Sequence, residues 1–163
     1  MTKKIDELDK KLLALLARDG RMSSAQMARL VGASERTVVN RVNKLIQSGA
    51  ISIIGVINST FFGYEVMADI FCEVESSEFD EVARSVAAFP EVRYVAASFG
   101  DRDISIQVVT KSTGELHKFV TEKLARVPGV ERTSTVVVPT VIKDIHEWLP
   151  EELGAAIDQS DDV

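Results

Sequence analysis

Hydrophobic positions in the first fifty residues fall at helical spacing. In "IDELDKKLLALLARDG" they are Ile5, Leu8, Leu12, Leu15 and Leu16, which predicts an amphipathic helix with Gly20 just past its end. "SSAQMARLVG" follows, and its Ser23 and Gln26 match a capping box, in which the hydroxyl accepts one free amide and the glutamine another. Met27, Ala28, Leu30 and Val31 supply an inward face, and Gly32 ends this second helix in the left-handed conformation of a tight turn. Ser34 starts a third helix as its N-cap, with Glu35 in the first turn, where the helix dipole favours an acid. At about 100° per residue, Val38, Val39, Val42, Leu45 and Ile46 share one arc of that helix. After Gly49 the β-branched run "AISIIGVINS" predicts a strand, a wing or a hinge into the next domain.

From residue 66 the period changes to two. In "VMADIFCEVE" Val66, Ala68, Ile70, Cys72 and Val74 face one way, and Met67, Asp69, Phe71, Glu73 and Glu75 the other. A helix follows in "SSEFDEVARSVAAF", then strands around "VRYVAASF" and "DISIQVVT" joined by "GDRD". A second helix, "TGELHKFVTEKLARV", starts after a Ser112 to Glu115 capping box, and "RTSTVVVPTVI" is the last strand. The order is βαββαβ, with an internal echo in "AAFPEVRYV" and "ARVPGVERT". Two such halves describe a ferredoxin-like sheet with both helices on one face. Met67, Phe71, Val95, Phe99, Val109 and Val137 are expected on the other face. Uncovered apolar sheet faces are usually interfaces, so two sheets are expected to pack in a dimer.

Charge divides the chain at the same place. The 163 residues carry a net charge of −6, yet residues 1–50 hold 10 Lys+Arg against 5 Asp+Glu and the rest hold 9 against 20. A basic segment beside an acidic remainder points to a polyanion-binding module fused to something with a different task, with chance variation of surface charge as the plain alternative. The outer arc of the third helix holds Arg36, Thr37, Asn40, Arg41, Asn43, Lys44, Gln47 and Ser48, and no acid. A solvated face ordinarily mixes both signs, whereas donors, amides and hydroxyls suit phosphates and base edges. A trihelical bundle also needs some polar outer face. The glycine-containing turn before this helix, with the charge bias, favours a helix-turn-helix whose recognition helix enters the major groove. Ser34, Arg36, Thr37, Asn40, Arg41 and Lys44 are then the candidate DNA contacts, and a dimer would pair two such helices on a palindrome about 34 Å between half-sites.

No apolar run approaches the ~18 residues of a spanning helix, and "MTKKIDELDKK" lacks a signal peptide's apolar core, so a cytoplasmic protein without membrane contact is expected. Cys72 is the one cysteine and is read as a small buried residue, and neither His117 nor His146 stands near it at zinc spacing. No metal or cofactor is expected.

Taken in order, "LDKKLLALLARDGR", "SSAQMARLVGASERTVVNRVNKLIQSGAI", the "GDRD" turn and "VPGVERTSTVVV" leading to Lys143 resemble the leucine-responsive regulator and asparagine-synthetase regulator family of prokaryotic transcription factors, from about Ile5 to Lys143. The resemblance implies an α+β protein with a winged-type helix-turn-helix domain at residues 1–50, a strand linker at 51–64, and a ferredoxin-like ligand-sensing and oligomerisation domain at 65–147. An acidic tail covers 148–163, and its last residues are expected to lack order. The resemblance further implies dimers assembling to octamers, no enzymatic activity, and a small amino acid as effector near the glycine-aspartate turn.

Here that turn is Gly100, Asp101, Arg102 and Asp103. Its acids can pair with an α-ammonium group and its amides can take an α-carboxylate, although glycine and aspartate are also ordinary turn residues. Arg102 departs from the family, which often has an aromatic residue there. It could hold an acidic group on the effector or pair with Asp103. Thr133 and Thr135, on the strand matching the family's other ligand-side segment, are further candidates beside plain strand propensity. Two other readings remain: an enzyme of siroheme-decarboxylase-like architecture, which would need titratable groups converging on a large pocket, and a low-specificity DNA-organising protein.

Overall fold

The computed structural model describes residues 5–158. In chain order the elements are α1 (Glu7–Arg18), α2 (Ser24–Val31), α3 (Glu35–Gln47), β1 (Val66–Val74), α4 (Phe79–Ala87), β2 (Val92–Ala97), β3 (Ile104–Thr110), α5 (Thr113–Lys118), β4 (Val130–Val138) and α6 (Glu151–Asp158). They form two compact units, one of Met1–Val56 with Lys143–Val163 and one of Ile57–Ile142.

In the first unit the expected caps form. The Ser23 hydroxyl accepts from the Gln26 amide while the Gln26 side chain accepts from the Ser23 amide, and Gly32 closes α2 at φ 66°. Ser34 caps α3 by accepting from the Thr37 amide. The start of α1 has its own capping box, with Asp6 as N-cap and Asp9 returning the bond. Leu12, Leu13, Ala14, Leu15 and Leu16 are all buried. Five consecutive helical residues point around the whole circumference, so α1 is enclosed on every side. Both α2 and α3 pack on it, and α6 packs on it as well, with Leu153 against the same core. The C-terminal segment is thus part of the helical unit down to Asp158, while the expectation of disorder concerns residues 159–163, which lie outside the described residues.

Three helical expectations are corrected. Leu30, Val39 and Ile46 are exposed, at 59%, 39% and 42%. Contact with α1 and α2 covers only the stripe of Val38 and Leu45 with half-buried Val42, so the apolar arc of α3 is wider than the surface that shields it. Nor is there a strand over 51–58. Ile51 packs on the helical core, and residues 51–58 join no ladder among the described residues.

The second unit has the expected βαββαβ order. Its four-stranded antiparallel sheet runs β2-β3-β1-β4. Ala68, Ile70 and Cys72 of β1 and Ile104, Ile106 and Val108 of β3 face α4 and α5, whose Val82, Val86 and Leu116 complete the core with Phe119 just past α5. Beyond α5 the chain continues as one π turn (Phe119–Lys123) and a 3₁₀ turn, and Phe89 meets Phe119 edge-on at 5.5 Å. Gly129, at φ 85°, lets the chain pass α4 into β4, since a Cβ there would lie 2.6 Å from Glu78 Oε2 and 2.9 Å from Val82 Cγ2.

Register corrects the expected open face. Val95 lies opposite Ile106 and packs into the core, and Val137 lies opposite Ala68, so both are on the helical side. The cause is an irregularity between Val92 and Tyr94 in β2 and another between Glu73 and Val74, because a one-residue slip turns every side chain over. The open side carries Met67, Asp69, Phe71 and Glu73 with Gln107, Val109, Tyr94, Val136 and Val138. At its centre Gln107 donates to Asp69 at 2.8 Å.

Two outcomes are expected. Leu153→Ala removes cover from α1 and should lower the stability of the helical unit by about 1–2 kcal/mol, a discounted large-to-small core change, read by urea denaturation and by faster amide exchange in α1. Burial pushes the Cys72 thiol up from 9.0 to about 11. The ionised form is disfavoured only in the fold, so stability should be level below pH 9 and fall as pH rises toward 11, with Cys72→Ser flattening the curve.

Candidate nucleic-acid interface and effector turn

The turn between α2 and α3 is rigidly capped on both sides, which fixes how α3 leaves it. Along the outer side of α3 the Arg36, Asn40 and Lys44 side chains are exposed, and among the described residues none of them makes a hydrogen bond or ion pair. Ser34 and Thr37 share a bond of 2.8 Å between hydroxyls at the helix start, where free amides and the positive end of the dipole meet solvent. A row of two cations, an amide and hydroxyls with no acid has the chemistry that an anionic, hydrogen-bonding polymer requires.

Arg41 stands apart from that row. Its guanidinium donates to Asp6 at 2.6 Å and to Asp9 at 3.1 Å, tying the middle of α3 to the first turn of α1. The Asp6 carboxyl is held below its ordinary 3.8, first by the Asp9 amide and then by Arg41, and Arg41 is pushed up, first by Asp6. The expected DNA contact at Arg41 therefore competes with a bond inside the protein. Sequence reasoning missed this link, although "DELD" with an acid at the cap and another three residues on is a recognisable start signal.

In the second unit the candidate effector turn joins β2 to β3 and divides into residues with different tasks. Asp103 belongs to the fold: its carboxylate accepts from the Val74 amide at 2.9 Å, its amide donates to Cys72 O, and its carbonyl accepts from Ser98 N. Gly100, at φ 147°, makes the bend that no other residue adopts easily. Asp101 is exposed and makes no side-chain hydrogen bond or ion pair among the described residues. Arg102 pairs with Glu73 of β1, not with Asp103, and Arg132 of β4 lies 3.8 Å from the same Glu73 oxygen.

Glu73 and Arg132 face each other across the β1–β4 ladder on the open side. Thr133 and Thr135 lie opposite Cys72 and Ile70, hence on the helical side, so the sheet separates them from the Arg102 cluster. Glu73 and Arg132 were not singled out in the sequence. Alternation places Glu73 outward, but only register shows that Arg132 is its neighbour.

Two outcomes separate these roles. Arg41→Ala should lower the melting temperature of the helical unit and weaken its acid dependence: the lowered Asp6 pKa stabilises the fold above about pH 4 and is lost as pH falls through the folded value. Asp103→Ala should cost about 1–2 kcal/mol by orphaning a strand amide, while Asp101→Ala leaves the melting temperature unchanged in calorimetry.

Comparison with known proteins places this geometry. The model of the AsnC-type helix-turn-helix domain matches residues 5–46, and that of the Lrp/AsnC ligand binding domain matches residues 65–147. An HTH-type transcriptional regulator of Pyrococcus furiosus is 39% identical over 140 residues, 85% of this chain and 95% of the relative. HTH-type transcriptional regulator FL11 of Pyrococcus horikoshii is 33% identical over 144 residues, 88% of this chain and 95% of the relative. Among solved structures, E. coli AsnC superposes with a TM-score of 0.81 at 24% identity, covering 88% of this chain and 99% of that one. A Neisseria meningitidis transcriptional regulator in complex with L-Met gives 0.85 at 22%, covering 92% and 99%. These last two show the fold. No helix among the described residues is long and apolar enough to cross a membrane. With both of its units matched in order by family models and with relatives above 30% identity over most of its length, the chain belongs to the Lrp/AsnC family of transcriptional regulators.

Proposed function

We propose that the protein regulates transcription by binding a palindromic duplex site as a dimer, with α3 in the major groove and a small amino acid as effector. The observation that carries this reading is the exposed, acid-free row of Arg36, Asn40 and Lys44, none of which is committed to another described residue. Arg36 and Lys44 hold phosphates or a guanine edge, and Asn40 pairs with adenine. Ser34 and Thr37 bring the start of α3 to the backbone phosphates, and Arg41 sets the pitch of the helix through Asp6 and Asp9.

The open side of the sheet supports a dimer. Met67, Phe71, Tyr94, Val109, Val136 and Val138 form an apolar surface that a second copy would cover, bringing two recognition helices to one site, with further assembly to octamers. An amino-acid effector is supported by the free Asp101 carboxylate at the Gly100 bend and by the L-Met bound to the Neisseria regulator.

The test is operator binding measured across salt concentrations. Lys44→Ala and Arg36→Ala should each weaken binding and reduce the slope of log affinity against log salt by about one, with the oligomer unchanged in mass. Unchanged affinity in both variants would mean that α3 is not the reading helix. Random DNA at physiological salt should compete about 10³-fold less well or worse, and equal competition would mark a DNA-organising protein instead.

A further inference from the structure

We propose that the effector site is built for an acidic amino acid, recognised by Arg102 and Arg132 through its side-chain carboxylate and by Asp101 through its ammonium group. This inference rests on the amino-acid reading given above and names the ligand class that the site's own residues select. The central observation is an imbalance. Two guanidinium groups, from the turn and from β4, approach one oxygen of one carboxylate, Glu73 Oε1. Arg102 is paired with it, whereas Arg132, 72% exposed, stands 3.8 Å away and makes no hydrogen bond. That distance is beyond hydrogen-bond reach, so Arg132 is held only by charge and keeps all its donors.

A second carboxylate would balance the cluster. Arginine and carboxylate pair through two parallel bonds, and Arg132 has the donors free to make them. One ladder pair over on the same side lie Phe71, half-buried, and the hydroxyl of Ser134. Asp101, the neighbour of Arg102 in the turn, offers the one uncommitted carboxylate among Gly100–Asp103, because Asp103 is taken by the Val74 amide.

An apolar amino acid placed here would strip water from Arg132 and return nothing, the situation in which a buried polar group is most costly. A basic one would meet two arginines.

The test uses the full chain at low ionic strength, by calorimetric titration with L-glutamate, L-aspartate, L-leucine, L-lysine and succinate. Glutamate or aspartate should bind best. Arg132→Gln, which loses no hydrogen bond within the protein, and Arg102→Gln should each weaken that binding about 10-fold or more, as expected for a charge-assisted bond. Asp101→Asn should weaken the amino acids but leave succinate unchanged, which separates ammonium recognition from carboxylate recognition. Preference for leucine or lysine, no binding of either acid, or equal binding by the arginine variants would overturn the inference and reduce the cluster to a surface ion pair. Operator binding without effector is measured on the same samples. If it persists while the acidic ligands fail, the regulator reading stands and only the ligand class is lost; if it is absent while they bind, the reverse holds.

Discussion

Apolar surface must be covered, and in this chain the available covers decide the architecture. Helix α1 places leucines on all its sides, more than α2 and α3 can shield, and the C-terminal helix completes the enclosure. The four-stranded sheet has the opposite arithmetic. Two helices cover one side and leave the other with Met67, Phe71, Tyr94 and a row of valines. One unit thus finds its cover in its own sequence, and the other presents a surface suited to a copy of itself.

Polar groups are sorted by the same logic. Asp9 is buried beside Arg41, and Asp103 gives its carboxylate to a strand amide, so both acids serve the fold. Arg36, Asn40, Lys44 and Asp101 have no such duty and face solvent. A charged side chain without an internal partner keeps its full interaction energy for whatever arrives from outside. The contrast between committed and uncommitted charges separates the two candidate surfaces from the rest more sharply than charge density does.

Much of this was legible in the residues. The capping serines, Gly32 and the period-two alternation of β1 each have local causes, and each element appeared where those causes put it. What failed was non-local. The inward arc of α3 was drawn too wide because periodicity reports which residues are apolar, not how much neighbouring surface exists to cover Val39 and Ile46. Val95 and Val137 were placed on the wrong side because two irregularities in the ladder cannot be read from one strand alone. The partners of Arg41 and Arg102 lie 32 and 29 positions away, at Asp9 and Glu73, and only the folded chain brings them together.

The helical unit is assembled from both ends of the polypeptide, with residues 57–142 inserted between them. On a ribosome, which releases a chain from its N-terminus, the sheet unit at residues 57–142 is complete while the helix that seals α1 is still being synthesised. The leucines of α1 therefore keep one flank open until α6 has been made, and the helical unit, begun before the sheet unit, is completed after it.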